Sequence, residues 1–285
     1  MSKLKIKRWD PQTMKTTSTI LLVGRRGAGK STLMTDLAWH FAQRDCFDLA
    51  LGMSPTDESS ESLGSFLPKT LIYDSFREDK IAALMASQKA AWKRGHGPHV
   101  VLFLDDCAYD KSCFRSTTMR ELFMNGRHRR ICLVFAVQYL MDMPPDIRSN
   151  IDVVIAARDP IHSSREKLWK CFFGLFRTIE EFNLTFSACT ANYETLVMHG
   201  NTGSQSNDIE DCIFWHKADP NRPKFRLGKE VYWRMDDRYY RDREEELEDE
   251  KKAVAELARR KEIRQQPVAD ILKADDAGRT IVPRY

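Results

Sequence analysis

The 285 residues suffice for one or two domains with a buried core. Lysine and arginine number 45 against 41 acids, a net +4 that does not by itself argue for a nucleic-acid partner. Hydrophobic residues at 42% and charged residues at 30% exclude a disordered chain, and no apolar run of about 18 residues is present to span a membrane.

Residues 19–23 (TILLV) read as a short buried strand. A glycine-containing loop follows over 24–29, then a helix over 30–42 with Leu33, Leu37 and Phe41 on one face. A second strand fits 49–53. The stretch 54–65 carries five serines and reads as a loop, and 70–73 as a further strand. Ile81, Leu84, Met85, Gln88, Ala91 and Trp92 fall at helical spacing, giving a helix over 81–94 that Gly95 ends. The unbroken apolar run 100–104 fits a strand buried on both faces, as do 131–137 and 153–157. A helix is expected over 118–126. Strand and helix alternate through this region, which predicts an α/β fold with a central, mostly parallel sheet flanked by helices.

Beyond 160 the pattern changes. The aromatic stretch 167–177 reads as helical, with strands over 194–198 and 213–215 split by a Gly/Ser/Asn loop at 200–207. From 238 to 264 nine basic and nine acidic residues cancel, and Leu247, Val254, Leu257 and Ile263 form only a thin apolar stripe. That predicts an exposed helix laced with salt bridges, followed by a loosely held tail over 265–285. The expected organisation is a basic arm over 1–18, an α/β core over 19–228, and a charged C-terminal helix and tail over 229–285. The opening MSKLKIKR has no apolar core, so no signal peptide is expected. The seven cysteines contain no C-x-x-C pair, which argues against a disulfide framework or zinc site and for a reducing compartment.

The segment GRRGAGKS at 24–31 matches the phosphate-loop pattern G-x-x-x-x-G-K-[ST], between an apolar strand and a helix as that pattern requires. Glycines let the backbone wrap a phosphate, and successive N–H groups at the helix start point at the anion. Gly24, Arg25, Arg26, Gly27, Ala28, Gly29, Lys30, Ser31 and Thr32 are therefore the expected nucleotide-binding residues. Lys30 reaches for the β- and γ-phosphates, and Ser31 for Mg²⁺. The strand 100–104 ends in Asp105 and Asp106, a Walker B arrangement. Asp105 is expected to hold Mg²⁺ through water and Asp106 to polarise the attacking water. Asp106 stands where many ATPases carry the longer Glu. Gln138, at the end of the strand 131–137, is placed to orient that water. ATP is favoured over GTP, because DDCA at 105–108 lacks the glycine of D-x-x-G and HKAD at 216–219 lacks the asparagine of a guanine reader.

Arg127, in the basic cluster RHRR at 127–130, and Arg148 are candidates for an arginine that completes a neighbour's site. Taken unaided, the cluster is what a solvated helix end also shows. Lys3, Lys5, Lys7, Arg8, Lys89, Lys93 and Arg94 are positions suited to sequence-independent contact with phosphates.

Together the phosphate loop, SPT at 54–56, LDDC at 104–107, NGRH at 125–128, VQY at 137–139, PDIRSNID at 145–152 and IFWHKA at 213–218 resemble the DNA-packaging ATPases of nucleocytoplasmic large DNA viruses, a branch of the FtsK–HerA superfamily. The matching segments span about 19–218. The resemblance implies a RecA/FtsK–HerA-like P-loop core and ATP hydrolysis coupled to moving double-stranded DNA into a capsid. It implies a homo-oligomeric ring, capsid or inner-membrane components of a virion as partners, and a location in the host cytoplasm's viral factory or the virion. It implies that Gln138 senses the γ-phosphate and that Arg127 or Arg148 acts in trans. Loops such as 54–65 would then contact DNA. Two rivals share the motifs: a translocase that never meets a capsid, and an ATP-binding scaffold with little turnover.

Overall fold

Strands that read as unbroken apolar runs form the middle of a nine-stranded sheet. In chain order its strands are β1 (Lys7–Arg8), β2 (Thr19–Val23), β3 (Leu49–Met53), β4 (Ile72–Tyr73), β5 (Val100–Asp105), β6 (Ile131–Val137), β7 (Val153–Ala157), β8 (Glu194–His199) and β9 (Ile213–Lys217). Their spatial order is β1-β9-β8-β7-β2-β6-β5-β3-β4. Neighbours from β7 to β4 are parallel, β8 runs antiparallel to both β7 and β9, and β1 pairs in parallel with β9. The computed structural model describes residues 4–107, 113–140, 143–200, 208–241, 243–265, 273–274 and 276–281.

The sheet is covered on both faces, which is why its central strands are apolar throughout. Alternate side chains leave opposite faces. Ile20, Leu22, Val101, Phe103, Val134 and Ala136 meet Leu33, Met34, Leu37 and Phe41 of α1 (Lys30–Gln43). Leu21, Leu102, Leu104, Leu133 and Phe135 meet the other layer. That layer contains α3 (Glu78–Lys93), α4 (Thr117–Asn125), α6 (His162–Phe172) and α7 (Ile179–Cys189), through Ile81, Met85, Met119, Phe123, Leu168, Phe182 and Phe186. Each such side chain stabilises the fold by roughly 1.5–3 kcal/mol on burial.

Several expectations need correction. The serine-rich stretch 54–65 is not all loop: it contains α2 (Asp57–Gly64), with Asp57 and Glu58 in its first turn and Leu63 buried. Acids at the positive end of the helix dipole and one apolar anchor outweigh the serines' turn preference. The helix expected over 167–177 lies earlier, at His162–Phe172. Phe173 and Phe176 are buried beyond its end, and a second helix begins at Ile179. Thr178 caps α7 by accepting from the Glu181 N–H, while Glu181 accepts from the Arg177 N–H, close to a capping box. The strand expected over 70–73 is confined to Ile72–Tyr73, after a 3-10 turn at Lys69–Leu71.

The segment read as a basic arm contains β1, and just after it Trp9 and Met14 are buried. Trp9 Nε1 donates to His199 Nδ1 at 3.2 Å. Late in the chain, α5 (Pro145–Arg148), α8 (Ile209–Cys212) and α9 (Glu230–Tyr239) were not anticipated. Asp36 of α1 is fully buried and binds the segment after β9: Arg222 Nε donates to Oδ1 at 2.7 Å, the Asp219 N–H at 3.2 Å, and His216 Nε2 lies 3.0 Å from Oδ2. Burial pushes the Asp36 carboxyl up, but His216, Arg222 and Asp219 together hold it below the usual range. HKAD at 216–219 is thus used in packing. The Arg222 guanidinium also lies 3.9 Å from the Trp39 ring centroid.

Residues 1–238 and 239–285 are two separate units. In the second, α10 (Arg243–Gln265) is a long charged helix with Val254 and Leu257 exposed, as expected, and β10 (Lys273–Ala274) pairs antiparallel with β11 (Thr280–Ile281). Most of the 200–207 loop and much of the 265–285 tail lie outside the described residues, as do Lys3 and the side chains of Leu247 and Ile263.

Candidate nucleotide site

The phosphate loop leaves the C-terminal end of β2, the strand between β6 and β7. Gly24 N–H donates to Val137 O at 3.1 Å, bracing the loop on β6. A Cβ at Gly24 would stand 2.9 Å from Ala157 Cβ and 3.2 Å from Ala28 Cβ, so only glycine fits between β7 and the loop. Gly27 and Gly29 have φ of +77° and +85°, the left-handed region glycine enters freely. Gly29 precedes α1 without a side-chain cap, which leaves the first N–H groups of α1 available to an anion. Ser31 is half-buried in the first turn and Thr32 is exposed.

Lys30 is buried, with Nζ 3.5 Å from Arg25 O and 3.8 Å from Asp106 Oδ1. Asp106 has φ of +49°. Asp is several-fold enriched among non-glycine residues in that region, which is a backbone reason for Asp in place of Glu here. Its Oδ2 accepts from Gln138 Nε2 at 2.9 Å. Lys30, Asp106 and Gln138 therefore form one connected group.

Asp105 ends β5 and is 2% exposed. Burial pushes its carboxyl up, a hydrogen bond with Ser59 of α2 pulls it down, and the neighbouring Asp106 charge adds to the rise. Asp105 Oδ1 is buried with no hydrogen-bond partner among the described residues. A buried, unpartnered carboxylate oxygen near the start of α1 fits a hard cation that takes few protein ligands, with Ser31 as the second oxygen donor. Ser59 was missed from the sequence because its helix was read as a loop.

The two arginines are not brought to this group. Arg127 lies in the 3-10 turn Gly126–Arg129 before β6, with Nη2 3.7 Å from Asp152 Oδ1. Asp152 Oδ2 accepts from the Thr19 N–H at the start of β2. Arg127 therefore sits at the opposite end of β2 from the phosphate loop, about 16 Å away for a five-residue strand. Arg148 ends α5, and its Nη1 is 3.2 Å from Cys171 Sγ of α6. Of the basic positions named above, Lys5, Lys7, Arg8, Lys89, Lys93 and Arg94 are exposed.

A cleft of about 740 Å³ opens beside the loop, lined in part by Arg25, Arg26, Tyr139, Arg158, Asn192 and Tyr193. The last three gave no motif in the sequence.

A mostly parallel sheet with this loop at the end of a central strand, and an acidic strand end on the strand beyond its neighbour, defines a P-loop NTPase fold. The solved genome packaging NTPase B204 of Sulfolobus turreted icosahedral virus 2, in complex with AMP, superposes with a TM-score of 0.53 at 18% identity, over 72% of this chain and all of that one. The DNA-packaging ATPase B204 of Sulfolobus turreted icosahedral virus gives 0.50 at 17% identity, with the same coverage. No protein-family model matches. Protein 088R of Invertebrate iridescent virus 3 is 34% identical over 201 residues, 70% of this chain and 76% of that protein. Protein L437 of Acanthamoeba polyphaga mimivirus is 26% identical over 249 residues, 84% of this chain and 85% of that one. The chain belongs to the family of large-DNA-virus proteins that includes 088R, and the resemblance first read from the motifs holds in relatives and in fold.

Proposed function

We propose that this protein is a magnesium-dependent ATPase motor that drives double-stranded viral DNA into a capsid. The observation that carries the reading is the connected group of Lys30, Asp106 and Gln138 at the mouth of the phosphate loop. A lysine for the phosphates, a carboxylate for the water and an amide that orients the carboxylate are the parts that phosphoanhydride hydrolysis needs.

In this mechanism the N–H groups of the loop and of α1 receive the phosphates, and Lys30 turns from Asp106 toward the β- and γ-oxygens. Asp106, released from the ammonium and still held by Gln138, accepts a proton from water as the water oxygen bonds to the γ-phosphorus. The bond from that phosphorus to the β–γ bridging oxygen breaks, leaving ADP and phosphate. Ser31 and Asp105 would hold Mg²⁺, which when bound neutralises charge on the β- and γ-oxygens. Arg127, remote from its own chain's loop, and Arg148, held against Cys171 with no contact to Lys30, Asp106 or Gln138 among the described residues, are candidates to serve a neighbour's site, in keeping with a homo-oligomeric ring. The viral relatives and the packaging NTPases that share the fold support DNA as the load, capsid or inner-membrane virion components as partners, and action in the viral factory or the virion. Among the described residues no helix is long and apolar enough to cross a membrane.

The test is steady-state ATP turnover with and without double-stranded DNA, in wild type and Lys30→Ala. Turnover stimulated by DNA, weakened by salt and abolished in Lys30→Ala is expected. Lys30-dependent turnover indifferent to DNA would remove DNA as the load. ATP binding without turnover would leave a scaffold.

A further inference from the structure

Tyr193 is a large aromatic side chain left 75% exposed. It belongs to the turn between α7 and β8, where Asn192 and Tyr193 have φ of +52° and +62°. Two successive non-glycine residues in the left-handed region are strained, and a bulky aromatic is poorly suited to it. Packing does not explain the arrangement, because the ring is mostly in solvent. Its position does suggest a use: Cδ1 lies 3.6 Å from where a Cβ on Gly29 would stand, so the ring abuts the phosphate loop.

The surroundings have the chemistry of a nucleotide. The cleft of about 740 Å³ runs from Gly27 and Ala28 of the loop to Tyr193, within the range that small-molecule sites occupy. Tyr139, 48% exposed and next to Gln138, lines the same cleft. Arg25, Arg26 and Arg158 also line it, and among the described residues none has a carboxylate partner. Unpaired guanidinium groups beside the loop suit a polyanion, and exposed aromatic faces suit a flat heterocycle.

We propose that Tyr193, presented by the left-handed turn against Gly29, is the stacking platform for the base of the nucleotide whose phosphates the loop holds. This rests on the nucleotide reading above and extends it, making Tyr193 a determinant of which triphosphates bind well. Stacking is tolerant of base identity, so the site selects for having a base more than for which base it is.

The experiment measures equilibrium binding of ATP and of inorganic tripolyphosphate, each with magnesium, to the full chain. Wild type, Tyr193→Ala, Tyr193→Phe and Lys30→Ala are compared. Tyr193→Ala is expected to weaken ATP about tenfold, with tripolyphosphate changed less than twofold. Tyr193→Phe keeps the ring and restores ATP affinity, and Lys30→Ala weakens both ligands. Unchanged ATP affinity in Tyr193→Ala would overturn the proposal, and so would equal loss of both ligands. Failure of wild type to bind either ligand would overturn the nucleotide reading itself, and the base site with it.

Discussion

Gln138 donates its side-chain amide to Asp106 over 2.9 Å, joining the residues that follow two neighbouring strands. The register explains the meeting: Asp105 at the end of β5 lies opposite Ala136 of β6, so the next residues project from the same sheet end. With one oxygen held by Gln138 and the other facing Lys30, the carboxylate has little freedom to turn. Asp106→Asn removes the proton acceptor but keeps the shape. It is expected to bind ATP and to lower turnover by about 10²–10⁴. Gln138→Ala frees the carboxylate and is expected to fall less, by about tenfold to a hundredfold. Turnover and ATP affinity measured together separate the roles, and near wild-type turnover in Asp106→Asn would refute Asp106 as the base.

Gly24 tests the loop's packing. An added methyl would meet Ala157 at 2.9 Å, closer than side-chain carbons approach, so β7 or the loop must move. Gly24→Ala is expected to lose about 1–3 kcal/mol of stability and to weaken ATP binding. Pairing it with Ala157→Gly, which opens the same space, should recover much of both losses in unfolding and binding assays.

The arginines give a prediction about assembly. If either acts on a neighbour, subunits carrying Lys30→Ala and subunits carrying the arginine-to-alanine change should complement each other. Mixed in equal amounts, they would form some sites with an intact lysine and an intact neighbouring arginine. ATP turnover of the mixture above that of either variant alone is the expected result for the arginine that acts in trans. Absence of complementation for both Arg127→Ala and Arg148→Ala would leave neither in that role.

Asp36 predicts the acid limb of stability. Its carboxyl is held below the ordinary value of 3.8, so on acidification the unfolded chain takes the proton first. The stabilisation it provides is complete above that value and is lost as pH falls through it toward the folded value. Asp36→Asn removes the buried carboxylate that Arg222 meets at 2.7 Å, leaving it only the half-exposed Asp219 at 3.7 Å, and is expected to cost about 3 kcal/mol at neutral pH. The gap between wild type and variant should narrow below about pH 4. Denaturant unfolding at neutral and acid pH checks both, and a gap independent of pH would exclude Asp36 as the source.

The central strands were legible because burial on both faces leaves an unbroken apolar run, and the phosphate loop because its residue types follow from its backbone shape. What stayed hidden depends on distant partners. The two residues of β1, Lys7 and Arg8, have no apolar pattern and are a strand only by pairing with β9. The serines of 54–65 hid α2, and with it the hydrogen bond of Ser59 to Asp105. Thr178 and Glu181 did carry a local helix-start signal, but the aromatic run before them drew the predicted helix across Phe173 and Phe176, which pack inward from irregular backbone. Tyr193 borders the loop through the sheet's topology, which no local spacing records.

The pairing of β1 with β9 also bears on how the chain is made. Lys7 lies opposite Phe214, 207 positions later. At ribosomal rates of 5–20 residues per second, roughly 10–40 s pass between the synthesis of the two. The parallel core from β2 to β7 is already available to collapse in that interval, while the first strand and Trp9 wait for β8 and β9. Docking of the N-terminal segment is therefore a late, non-local step of folding, and until β8 is made the edge of β7 that it will cover stays an unpaired strand edge.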